Sequence, residues 1–204
     1  MIAVINYGVG NINAFLNIYQ KLNIKVSVVQ SPSDFNNITH LILPGVGNFD
    51  FAMQKFKNSG IFDLVEKMVL LKKVPILGVC VGMQMLANNS EEGTESGLGW
   101  ISGQVIKFNA KNINSKTPLP HMGWNDITIT NANKILLNLH NNPKFYFLHS
   151  YFFNCTNIEN SISDTFYSEK FTSAINYENI YGVQFHPEKS HENGIQLLKN
   201  FSQI

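Results

Sequence analysis

Pro75-Ile76-Leu77-Gly78-Val79-Cys80-Val81-Gly82-Met83-Gln84 reads as a strand that turns, with no linker, into a helix. Pro75–Val79 is an apolar run of strand length, and Val81–Asn88 continues at helical spacing. Between them stands Cys80, with Gly78 and Gly82 two residues away on either side. This is the form of a nucleophile elbow. Glycines at those positions allow a sharp turn and let neighbouring backbone come close. A helix start behind the sulfur favours the thiolate, the reactive form. The Val81 N–H would point to where an oxyanion forms. A lone cysteine is more often a small buried residue; the paired glycines turn the reading toward a nucleophile.

Upstream of the elbow, strands and helices alternate. Ile2–Asn6, Lys25–Val29 and His40–Leu43 read as strands. Asn11 stands where it can cap a helix running to about Lys21, with Ile12, Phe15, Leu16 and Tyr19 at helical spacing. Phe51–Lys57 and Ile61–Leu71 are helical patterns. Such alternation implies βαβ units on a parallel sheet. After Trp100 the texture changes to short strands at Val105–Phe108, Asp126–Thr130, Lys144–Leu148, Phe152–Cys155, Phe171–Asn176 and Tyr181–Phe185. A helix, Gly194–Phe201, closes the chain, and the polar stretch Ala110–Leu119 reads as a mobile loop. The expectation is one α/β domain over residues 1–204: a mainly parallel sheet flanked by helices, with a small antiparallel extension.

The chain has 204 residues, 44% of them hydrophobic and 14% charged, with a net charge of +1. That composition suits a globular domain and excludes general disorder. It gives no footprint for nucleic acid or an anionic membrane. All 15 basic residues are lysines, so an anion site here must use lysine, backbone N–H groups or helix ends. Cys80 and Cys155 cannot make a disulfide scaffold, and Cys155, beside Phe152 and Phe153, reads as a packing residue. No stretch approaches the roughly 18 apolar residues of a membrane span, and no targeting segment is visible. A cytoplasmic location is expected.

A cysteine nucleophile needs a base and a group to orient it. Gln184-Phe185-His186-Pro187-Glu188-Lys189-Ser190 follows a strand. His186 could take the thiol proton, and Glu188 could hold its imidazole in one tautomer. Pro187 stiffens the link. Pro44-Gly45-Val46-Gly47, after the third strand, could add a second backbone donor to the oxyanion. No metal site is supported: His186 and His191 share no expected helix face, and Cys80 has no cysteine partner nearby.

The elbow with His186-Pro187-Glu188 resembles the class I (triad) glutamine amidotransferases. Asn6-Tyr7-Gly8-Val9-Gly10-Asn11, Pro44-Gly45-Val46-Gly47, Pro120-His121-Met122-Gly123-Trp124-Asn125, His149-Ser150-Tyr151 and His186-Pro187-Glu188-Lys189-Ser190 narrow the resemblance. Together they are similar to the glutaminase subunits of imidazole glycerol phosphate synthase, the HisH family. The elbow and His-Pro-Glu are class-wide; Pro-His-Met-Gly-Trp-Asn and the trailing Lys-Ser are more specific.

The resemblance implies a flavodoxin-like fold and hydrolysis of glutamine to glutamate and ammonia, without a cofactor. Cys80, His186 and Glu188 would be the triad. N–H groups of Val46, Gly47 and Val81 would hold the oxyanion. Gly45, Gln84, His149, Ser150 and Tyr151 would line the glutamine pocket. Asn11, Trp124 and Lys189 would meet a (β/α)8 barrel synthase subunit in a heterodimer, which receives the ammonia for histidine biosynthesis. Other features are similar to a paralogous group found with surface-polysaccharide biosynthesis, which feeds a sugar amidotransferase. These are Gly97-Leu98-Gly99-Trp100 after Glu91-Glu92-Gly93, Phe171-Thr172-Ser173-Ala174, and Ser190-His191. Both acceptor reactions stay open on the sequence.

Two readings come from other classes. Gly8-Val9-Gly10 follows a strand and opens a helix, as a dinucleotide-binding fingerprint does, but the third glycine position holds Asn13 and no acidic residue closes the next strand. A non-catalytic interaction subunit is the other, against which the intact Cys80, His186 and Glu188 speak.

Overall fold

The computed structural model describes residues 1–113, 115 and 117–204. The loop expected at Ala110–Leu119 therefore includes two positions, 114 and 116, that lie outside the described residues. Chain order begins with β1 (Ile2–Ile5), α1 (Ile12–Lys21), β2 (Val26–Val29), β3 (His40–Gly45), α2 (Phe49–Lys57) and α3 (Phe62–Glu66), which runs on as a π-helical turn to Leu71. Then come β4 (Ile76–Cys80), α4 (Val81–Gln84), β5 (Asn89–Ser90), β6 (Gly103–Lys107), β7 (His121–Asp126) and β8 (Thr128–Ile129). The remainder is β9 (Lys144–His149), β10 (Tyr151–Cys155), β11 (Ser161–Tyr167), β12 (Glu169–Tyr177), β13 (Ile180–Val183) and α5 (His191–Phe201).

Eight strands form the main sheet in the order β2-β1-β3-β4-β13-β12-β11-β8. The first five are parallel and the last three run antiparallel. The apolar runs β1, β3, β4 and β13 are buried along their whole length, as strands covered on both faces must be. Two smaller sheets complete the fold: β10-β6-β5, and the antiparallel pair β7-β9. Register brings Gly45 beside Cys80, and Val79 beside Val183. The chain therefore leaves β3, β4 and β13 at one edge, where parallel sheets place their ligands.

Three local features differ from the sequence reading. The helix after Cys80 is one turn, not Val81–Asn88. Backbone carbonyls of Met85, Leu86, Ala87 and Asn88 accept from Leu98, Ile101, Gly99 and Gly97 instead of continuing the helix. This also accounts for Gly97-Leu98-Gly99-Trp100: a Cβ on Gly97 would overlap the Ala87 oxygen, Gly99 has φ +64°, and Trp100 is buried. β11 carries no strand signal in the sequence, because Ser161, Ser163, Asp164 and Thr165 are buried polar residues and give no apolar alternation. They are satisfied internally, for example Ser163 Oγ with Ser173 Oγ at 2.9 Å and Asp164 with Lys170 at 2.7 Å. β7 likewise has no strand pattern in the sequence. Its alternation is inverted: His121 faces in, while Met122 and Trp124 are 65% and 47% exposed.

Candidate active site

Cys80 ends β4 with φ 55° and ψ −113°, a backbone state that L-residues avoid unless the surroundings impose it. The imposition is steric. A Cβ on Gly78 would lie 2.6 Å from the Gly82 oxygen, and one on Gly82 would overlap the Leu43 carbonyl. The elbow therefore closes tightly against β3 only with glycine at both positions. Asn11 occupies the cap position of α1, but its side chain makes no cap hydrogen bond.

His186 follows β13 and is buried with Cys80. Its Nδ1 and Glu188 Oε1 are 2.8 Å apart. The bond to the carboxylate leaves Nε2 for the sulfur. The loop is pinned from outside: His186 N–H donates to the Tyr146 carbonyl at 2.8 Å. The Ser190 hydroxyl donates to the His186 carbonyl at 2.6 Å and accepts from Tyr146 N–H at 3.0 Å. Burial opposes an imidazolium here. Hydrogen bonds with Cys80 and Glu188, and their charges, outweigh it and raise His186 to about 10.

Cys80 opens into a cavity of about 310 Å³, large enough for an amino acid. Val46, Gly47, Val81, Gln84, His149, Ser150, Tyr151 and His186 line it, all expected at the site. Gly45 does not. Its backbone packs on Val81 and Gly82, where a Cβ would overlap the Gly82 nitrogen, so it shapes the wall from behind. Lys189, expected only at the interface, also lines the cavity. So do Glu92, Pro120 and Leu148, which the sequence reading did not select. Glu92 accepts from Phe49 N–H at 2.8 Å at the start of α2, and burial raises its pKa. Its only sequence signal was position in an acidic turn.

His149 and His121 form a buried pair, Nε2 to Nδ1, at 3.0 Å. Burial lowers His149 to about 3 and His121 to about 4, so both stay neutral at physiological pH. Trp124 does not reach the cavity. Its ring stacks on His191 at 5.1 Å and 8°, beside another cleft. Lys189 Nζ lies 5.7 Å over the Tyr146 ring. Asn11 is exposed and lines a separate polar cleft with Gln30 and Asp34. Cys155 is half-buried, its thiol pushed up to about 12 chiefly by burial.

A cysteine on a tight elbow, a histidine-carboxylate pair from the adjacent parallel strand and an amino-acid-sized cavity define the class I amidotransferase type of site. Residues 3–204 match the family model for glutamine amidotransferase class-I, and the chain belongs to that family, in its HisH branch. It is 50% identical over 204 residues to the imidazole glycerol phosphate synthase subunit HisH of Leptospira interrogans, with both chains covered in full. The subunit of the same name from Bdellovibrio bacteriovorus is 48% identical over 206 residues, again covering all of both chains. Solved structures share the fold at lower identity. One is a glutamine amidotransferase at TM-score 0.74 and 17% identity, covering 99% of this chain and 100% of that one. Another is PurLQS from Thermotoga maritima at 0.71 and 16%, covering 99% and 97%.

Proposed function

We propose that this chain is the glutaminase subunit of imidazole glycerol phosphate synthase, a cytoplasmic heterodimer with a (β/α)8 barrel synthase. The observation that carries the reading is the His186–Glu188 pair at 2.8 Å beside an elbow cysteine, in a chain half identical to HisH subunits.

Cys80 Sγ attacks the side-chain amide carbon of glutamine. His186 holds the thiol proton and delivers it to the departing nitrogen, which leaves as ammonia. Glu188 keeps the imidazole in one orientation. Water, activated by His186, then cleaves the thioester and releases glutamate. Backbone N–H groups of Val81 and of the Val46–Gly47 loop hold the oxyanion, each worth about 2.7–4 kcal/mol. Glu92 is a carboxylate on the cavity wall and suits the α-ammonium of an amino acid. Gln84, His149, Ser150 and Tyr151 complete the pocket.

β7 and β9 present Met122 beside Leu148 and Trp124 beside Tyr146. Leu148 also lines the cavity, so this apolar face reaches the mouth of the site. An exposed patch of this kind marks a protein interface, and it suits the barrel subunit, with Trp124 and Lys189 as anchors. The neutral, arginine-free chain leaves phosphate chemistry to the partner. Two of the segments that resemble the sugar-linked paralogues have local structural work: Gly97–Gly99 takes the carbonyls of Met85, Ala87 and Asn88 that end the helix after Cys80, and Ser190 pins the His186 loop.

Reconstitution tests the reading. Mixed with a barrel synthase subunit of the histidine pathway, the chain should support glutamine-dependent formation of imidazole glycerol phosphate. Activity only with a sugar amidotransferase partner would replace it.

A further inference from the structure

Gln184 lies one residue before Phe185-His186 and is fully buried. Its Nε2 is 3.8 Å from Cys80 Sγ, within hydrogen-bond range for sulfur. Amide nitrogen and oxygen are told apart only by their partners, and here the partners decide. Gln84 Nε2 lies 3.0 Å from the Tyr151 carbonyl, which only accepts. The same nitrogen lies 3.1 Å from Gln184 Oε1. Gln184 thus turns its oxygen toward Gln84 and its N–H toward the sulfur.

The Tyr151 carbonyl is itself fixed from the other side. His149 Nδ1 is 2.8 Å from it and must donate. His149 Nε2 then accepts from His121 Nδ1 at 3.0 Å, and His121 Nε2 accepts from Asn125 Nδ2 at 3.2 Å. Every hydrogen in the chain has one direction. Two arms meet at one backbone oxygen, one ending at Cys80 and the other on β7.

We propose that Gln184 is a positioning residue for the nucleophile. It donates an amide N–H to the Cys80 sulfur, with its orientation set by Gln84 and the Tyr151 carbonyl. As a thiol, Cys80 donates to the Leu148 carbonyl at 3.8 Å. As a thiolate it loses that bond and keeps the Gln184 donor, so the interaction favours the reactive form. The proposal rests on Cys80 being the nucleophile. The other ionisable groups around the sulfur are His186 with Glu188, Tyr7, and His149 and Glu92 on the cavity wall.

The test is alkylation of the full chain by iodoacetamide between pH 5 and 10, read at each cysteine by peptide mass spectrometry. Cys155 reports folding, because its burial keeps it unreactive in the native chain. Gln184→Met should move the pH midpoint of Cys80 alkylation up by about one unit, a tenfold rate loss below the midpoint. Gln184→Glu, of equal size, should move it at least as far by adding a like charge. If Gln184→Met exposes Cys155, Gln84→Met keeps the Gln184 side chain and should give a smaller upward shift. An unchanged Cys80 profile in variants whose Cys155 stays protected would overturn the proposal alone. A native chain whose Cys80 reacts no faster than Cys155 would overturn it together with the nucleophile reading.

Discussion

The Tyr7 hydroxyl donates to the Pro44 carbonyl at 2.7 Å. This bond ties the loop after β1 to the strand end that carries Gly45, Val46 and Gly47. Gly10 leans on the same residue: at φ +102°, a Cβ there would stand 2.7 Å from Pro44 Cβ. The base of the proposed oxyanion loop is therefore clamped, while Val46 and Gly47 beyond it are exposed. Tyr7→Phe leaves a buried carbonyl without its donor and should cost about 1–2 kcal/mol in urea unfolding. Glutaminase turnover in the complex should fall as well. Unchanged turnover would separate the clamp from catalysis.

Gly47 sits at φ +87°, a backbone state open to glycine and strained for other residues. A loop anchored at Pro44 and free at Gly47 can rest in a non-productive state until a partner covers it. The isolated chain should therefore hydrolyse glutamine slowly, and the barrel subunit should accelerate it severalfold or more. Steady-state glutamate release with and without the partner checks this. Full turnover by the chain alone would contradict it.

The elbow has no room for a side chain on either flank of Cys80. Gly82→Ala should destabilise the chain by about 3 kcal/mol, at the upper end for overpacking, because the new methyl meets the Leu43 backbone. Thermal unfolding measures it. Gly60, at φ +74° with nothing within 4 Å of its Cβ position, is the control: the strain is there without the clash, and the loss should stay near 1 kcal/mol.

His186 carries its proton to higher pH folded than unfolded, about 10 against the ordinary 6.5. A raised value contributes stability that is fully present below 6.5 and is lost as pH rises through about 10. Urea midpoints should therefore decline on the alkaline side, and glutaminase activity should fall over the same limb as the proton donor is lost. Glu188→Gln removes the charge that holds the proton and should move both limbs to lower pH. A pH profile identical in the variant would contradict the assigned pairing.

The apolar face on β7 and β9 makes a prediction about affinity. Trp124→Ala should weaken binding of the barrel subunit by about 2 kcal/mol, near thirtyfold in Kd, if Trp124 is a buried anchor of the interface. Titration calorimetry measures it. Cys80 alkylation in the free chain should not change.

Much of this was legible in the residues, for identifiable reasons. β1, β3 and β4 are continuous apolar runs bounded by glycine or proline, and the elbow follows from Gly78, Cys80 and Gly82 alone. His186 and Glu188 sit two residues apart, so their pairing needs only a local turn. What was hidden depends on distant contacts. β11 buries serine and threonine that find their partners on β7, on β12 and within β11 itself, and β7 turns its polar side inward. The helix after Cys80 stops because a segment nine to fifteen residues later takes its carbonyls, as with Leu98 N–H on Met85. Nothing local singles out Gln184; only Gln84 and Tyr151, far away in the chain, give its amide a direction. Gly45, which the resemblance places in the glutamine pocket, is turned away from the cavity by its close packing on Gly82.

The central claim is that Cys80 releases ammonia which the partner consumes. Cys80→Ala in the reconstituted complex tests it most directly, with glutamine and an ammonium salt supplied in turn to the same preparation. Loss of glutamine-dependent product with ammonium-dependent product retained is the predicted result. Glutamine-dependent product formed at the native rate by the variant would contradict it.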